Sequence, residues 1–135
     1  MNLEALLRIA GVLQIALAAA HLFLSKPLKW PEELSRLSPI NRRIFLVHTF
    51  FIGLILVLFG ALSLFAPETL LVRTDLSDFV LVGLSIFWTI RRVFQWTAYD
   101  RSLWRGDRFR TVVHGVATCV WLYLAAAYAL TLVGR

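Results

Sequence analysis

Four long apolar runs divide this chain: Leu3 to Leu24, Ile44 to Phe65, Leu76 to Phe94 and Thr111 to Val133. Each is near the ~20 residues that an α-helix needs to cross a hydrocarbon layer about 30 Å thick. A backbone in that solvent must satisfy its own hydrogen bonds, which leaves only helices and closed barrels. The short alternating strands of a barrel are missing. The expected fold is therefore all-α, a single domain over residues 1–135, folded as a four-helix transmembrane bundle with short loops. A hydrophobic share of 59% in 135 residues, against roughly 45–50% in soluble domains, leaves no room for a separate soluble catalytic domain. Any chemistry must lie in the bundle or its loops. The single cysteine, Cys119, cannot form an internal disulfide and reads as a buried thiol.

The run ends carry helix punctuation. Ser38-Pro39 reads as an N-cap followed by proline at the first helical position, Ala66-Pro67 closes the second span, and Asp107 can cap the fourth. The stretch from Trp30 to Leu37 is either a short interfacial helix or a plain loop. Ala18-Ala19-Ala20 resembles a signal cleavage site, but Glu4 precedes Arg8 where a basic start is needed, so the first span is expected to be retained.

Basic residues set the orientation. Lys26, Lys29, Arg36, Arg42 and Arg43 lie between the first two spans, and Arg91, Arg92, Arg101, Arg105, Arg108 and Arg110 lie around the connection of the last two. Only Arg8, Arg73 and Arg135 of the 14 basic residues fall on the other side. Positive loops stay in the cytoplasm, so both termini are expected on the extracytoplasmic side. The net charge of +6 then faces anionic lipid headgroups. No motif supports nucleic-acid binding.

The sequence has 3 histidines, His21, His48 and His114, one in each of three spans. Counted from the predicted span ends at a rise of about 1.5 Å per residue, all lie on the order of 5–8 Å inside the same cytoplasmic boundary. Gln14, Ala18 and His21 share one stripe; His114, Thr118, Trp121, Ala125 and Tyr128 form another, and Ser85, Trp88, Arg92 and Gln95 a third. His48 sits about 100° from the small-residue face of its own span, so its direction is left open. Gly53, Gly60, Ala18 and Gly115 are expected to permit close helix packing.

Three imidazoles converging around an open position suit a transition metal such as zinc or iron. Gln95 and Asp100 would orient the ligands from behind. A haem b reading uses two histidines axially, with Arg91 or Arg92 meeting propionates and Gln95 beside them. The plain alternative is that these histidines bond water, headgroups or helix carbonyls. The leading functional expectation is a cytoplasm-facing site inside the membrane, redox-linked or binding a lipid or quinone. The second is a noncatalytic accessory or scaffold subunit binding a larger membrane partner; the third is a small transporter that encloses its path as a homo-oligomer.

Other features have ordinary explanations. Trp30, Trp88, Trp96, Trp104, Tyr99 and Phe109 suit an interfacial aromatic belt, Asp100-Arg101 a rim ion pair, and Asp75 and Asp78 charges at a helix start. Serine nucleophile signatures, glycine-rich phosphate loops and paired core carboxylates are absent from the sequence, which disfavours hydrolases and nucleotide-binding proteins.

At Asn41-Arg42-Arg43-Ile44-Phe45-Leu46-Val47-His48, at Phe87-Trp88-Thr89-Ile90-Arg91-Arg92-Val93-Phe94-Gln95 and at Tyr99-Asp100, the chain is similar to small four-span bacterial membrane proteins of uncharacterised function. The resemblance covers most of the chain. It implies a bacterial inner-membrane setting and supplies no activity, substrate or ligand.

Overall fold

The structure is a computed structural model that describes residues 2–23, 25–100, 102 and 104–135. Among these the secondary structure is helical throughout: α1 (Leu3–Phe23), α2 (Trp30–Ser35), α3 (Pro39–Phe65), α4 (Pro67–Leu71), α5 (Asp75–Thr97) and α6 (Arg108–Gly134). Leu24, the expected end of the first span, and Arg101, a member of the expected rim pair, lie outside the described residues.

Caps set the helix ends. The Ser38 hydroxyl accepts from the Asn41 amide at 3.4 Å, with Pro39 following it. The Asp107 carboxylate accepts from the Arg110 amide at 3.1 Å. Both helices therefore start before their apolar runs, at Pro39 and Arg108 rather than Ile44 and Thr111. Thr74 and Ser77 form a reciprocal capping box at the start of α5, which satisfies two of its unpaired amides. The stretch at Trp30 is a helix, and the Trp30 ring meets Phe45 edge-on at 5.2 Å.

α1, α3 and α6 are each long and apolar enough to cross a membrane. The expectation of four such helices is corrected to three. α5 has the length, 23 residues, but Asp75, Asp78, Arg91, Arg92 and Gln95 dilute its apolar content. Phe50, Phe51, Leu58, Leu22 and Val112 point outward and are exposed, as is Cys119, contrary to its expected burial. Such apolar surface requires lipid or a partner against it.

The packing is open where a closed four-helix bundle was expected. α1 is central and packs on α3 and α6; α5 packs on α6, while α3 and α5 scarcely touch. α1 and α3 cross at glycines. A Cβ on Gly11 would lie 2.6 Å from the Gly60 carbonyl oxygen and 2.7 Å from the Leu64 nitrogen, so only hydrogen fits there. Gly60 and Ala18 pack as expected, but Gly53 and Gly115 have nothing within 4 Å of an added Cβ.

A polar chain links α1, α6 and α3 through the apolar core. Gln14 Nε2 donates to the Ala10 carbonyl at 3.4 Å and to the Tyr128 hydroxyl. The Tyr128 hydroxyl is also 2.8 Å from Ser63 Oγ, a contact in which either hydroxyl can donate. All three side chains are fully buried. At one end of the helices, Arg135 donates to the carbonyls of Leu70 (2.8 Å) and Val72 (3.0 Å) and pairs with Asp78.

Candidate functional site

The inward face of α5 is set by helical spacing: Leu81, Leu84, Trp88 and Gln95 are buried, three to four residues or two turns apart. Gln95 is 5% exposed and meets three polar neighbours. Its Oε1 accepts from Arg91 Nη1 at 3.2 Å and from Trp121 Nε1 at 3.2 Å. Its Nε2 lies 2.9 Å from His114 Nδ1.

This arrangement assigns the hydrogens. Arginine and tryptophan only donate, so the atom between them must be the amide oxygen. The amide nitrogen then donates to His114 Nδ1, which is the accepting nitrogen of a neutral ring. The ring hydrogen therefore resides on Nε2. Nε2 of His114 is buried without a protein partner, and so is Nε1 of Trp104. The two rings stack at 4.5 Å with an interplanar angle of 10°, and Trp96 meets the imidazole edge-on at 5.9 Å.

Arg91 supplies the charge. Its guanidinium stands 4.7 Å from the Trp121 ring and 5.9 Å from Tyr99, within range of cation–π attraction. Trp121 in turn stacks on Trp88 at 5.3 Å. Among the described residues, no carboxylate is paired with Arg91. The site thus presents one cation and two N–H donors at the end of the α5–α6 pair, which suits an acceptor or an anion.

Of the expected site residues, the structure brings together Arg91, Gln95 and His114. Arg92 is exposed on the outer face of α5, so the arginine of the site is its neighbour. Asp100 is exposed and accepts from the Ser102 amide at 2.8 Å. His21 Nδ1 is 2.7 Å from the Leu17 carbonyl and His48 Nδ1 is 2.8 Å from the Ile44 carbonyl. Each ring is thus tied to its own helix one turn back, as in the plain reading, and His48 is exposed.

Measured from the observed helix ends, the three histidines are not level. His21 lies two residues from the end of α1, whereas His48 is nine residues into α3 and His114 six into α6, or about 3, 13 and 9 Å along their axes. Among the described residues, no group of three or more His, Cys, Asp or Glu side chains is placed to hold a metal ion. The three histidines are therefore not gathered around one ion.

Trp104 and Trp121 are site residues that sequence reasoning set aside, Trp104 as interfacial belt and Trp121 as one member of a stripe. Their indole N–H groups next to a buried amide and imidazole were the available signal. Comparison with protein-family models, curated proteins and solved structures finds no match to this chain.

Proposed function

We propose that this chain is an integral inner-membrane protein that binds an anionic group at the cytoplasmic end of α5 and α6. The charged residues of α5 gather toward its two ends, around Asp75 and Asp78 and around Arg91 and Arg92, with an apolar stretch between. The distribution of basic residues supports cytoplasmic loops at α2 and before α6, with both termini outside.

The observation that carries the binding reading is the unpartnered His114 Nε2–H, whose direction Gln95 fixes. A phosphate or carboxylate there would accept from His114 and Trp104 and face the Arg91 charge. Acidic lipid headgroups at the inner leaflet have that chemistry.

The test is nitrogen NMR of histidine-labelled protein in nanodiscs, where the three imidazoles are few enough to assign. Phosphatidylglycerol, but not phosphatidylcholine, is expected to shift His114 Nε2, and Arg91→Gln is expected to abolish the shift. The same shift from inorganic phosphate in phosphatidylcholine discs would assign the site to a soluble anion. No shift with either would overturn the reading.

A second reading, an accessory subunit for a larger membrane protein or a homo-oligomer, is favoured by one observation: α3 leaves Gly53 and its apolar neighbours uncovered. Crosslinking from Gly53→Cys in native membranes separates the two, since only this reading predicts a discrete crosslinked protein.

A further inference from the structure

Because α3 and α5 scarcely touch, a cavity of about 260 Å³ opens between them. Phe59 lines one side, Phe79, Gly83 and Phe87 the other, and Gln14 and Trp88 complete the lining. Nearly all of this wall is hydrocarbon. Gln14 is 0% and Trp88 2% exposed, yet each keeps one buried polar atom without a protein partner: Gln14 Oε1 and Trp88 Nε1.

Their hydrogen-bonding roles are fixed. The Ala10 carbonyl can only accept, so the Gln14 atom facing it is the amide nitrogen, and Oε1 is an acceptor in want of a donor. An indole N–H only donates. Both residues line the cavity, so its apolar wall includes one residue with an unused acceptor and one with an unused donor.

We propose that the α3–α5 cleft binds a neutral lipid alcohol from within the bilayer, its hydroxyl donating to Gln14 Oε1 and accepting from Trp88 Nε1. A hydroxyl is a small neutral group that does both. An ester or quinone carbonyl only accepts and would serve Trp88 alone; an alkyl chain serves neither. A charged headgroup would lose its hydration without a counterion in the wall. The cavity is also too small for a partner helix, which is about 10–12 Å across with its side chains.

The experiment photolabels the full chain in nanodiscs with a diazirine-bearing long-chain alcohol, its methyl ether and the matching hydrocarbon, with crosslinks mapped by mass spectrometry. The alcohol is expected to label α3 near Phe59 and α5 near Phe79. The ether cannot donate and should bind about tenfold more weakly, the loss of one hydrogen bond. Gly83→Leu should abolish the labelling. A Cβ at Gly83 meets nothing within 4 Å, so this variant is expected to fill the cleft and leave the fold intact, checked by its melting temperature. Trp88→Phe should weaken the alcohol toward the level of the ether, whereas Arg91→Gln should leave alcohol labelling unchanged, which separates this cleft from the anion site. Equal labelling by alcohol and ether, or labelling that persists in Gly83→Leu, overturns the proposal. So does a dimer in sedimentation that Gly83→Leu dissociates, which would assign the cleft to a second copy of the chain.

Discussion

Gln95 Nε2 stands 2.9 Å from His114 Nδ1, so an amide on α5 chooses which nitrogen of an imidazole on α6 carries the hydrogen. The choice propagates from Arg91 and Trp121, which between them occupy the amide oxygen. Gln95→Leu should release it. Nitrogen NMR is expected to show a single Nε2–H tautomer for His114 in the parent chain and a mixture in the variant. Leaving Trp121 Nε1 buried without an acceptor should also cost about 1–3 kcal/mol of stability.

The glycine crossing predicts opposite outcomes for similar substitutions. Gly11→Ala sets a methyl against the Gly60 and Leu64 backbone, and overpacking of this kind costs about 1–3 kcal/mol. Gly53→Ala and Gly115→Ala meet open space and should stabilise by up to about 1 kcal/mol through higher helix propensity. Unfolding in mixed micelles would read all three; equal losses would mean that α1 and α3 do not cross at Gly11.

Tyr128→Phe removes the hydroxyl that joins Gln14 to Ser63. The loss is expected to be about 1–3 kcal/mol, because two buried groups lose a partner at once. Adding Ser63→Ala should recover part of it, since one of those groups then disappears; a double-mutant cycle measures the coupling.

Arg135→Ala should loosen the corner between α4 and α5. The arginine side chain is 2% exposed and bonds the Leu70 and Val72 carbonyls as well as Asp78. Faster amide exchange in α4 and in the first turn of α5 is the expected result. Unchanged exchange there would show that the capping box at Thr74 and Ser77 holds the corner alone.

Much of the architecture was legible because lipid leaves a backbone few options. The apolar runs located the long helices, and Ser38-Pro39 and Asp107 marked two of their starts. The cap at Thr74 was missed because Ser77, rather than a glutamate, completes its box. The site was legible residue by residue but not as a set. Gln95, Arg91 and His114 were each singled out from the sequence, yet the histidines were grouped by a depth counted from hydrophobicity. The apolar runs at Ile44 and Thr111 begin several residues inside the starts of α3 and α6, so the two ways of counting differ. Arg92 was preferred to Arg91 on the α5 stripe, although only Arg91 is an i,i+4 neighbour that reaches the Gln95 oxygen. The split between α3 and α5 had no sequence signal, since lipid-facing and cleft-facing phenylalanines look alike.

The central position of α1 bears on how the molecule assembles. α1 with α3, and α5 with α6, are helical hairpins of consecutive segments, so each can close as it leaves the ribosome without waiting for distant chain. The Gln14 to Tyr128 bond joins the first hairpin to the second across 114 positions. It forms only when the last helix is in place, so Tyr128 ties the end of the chain back to its beginning.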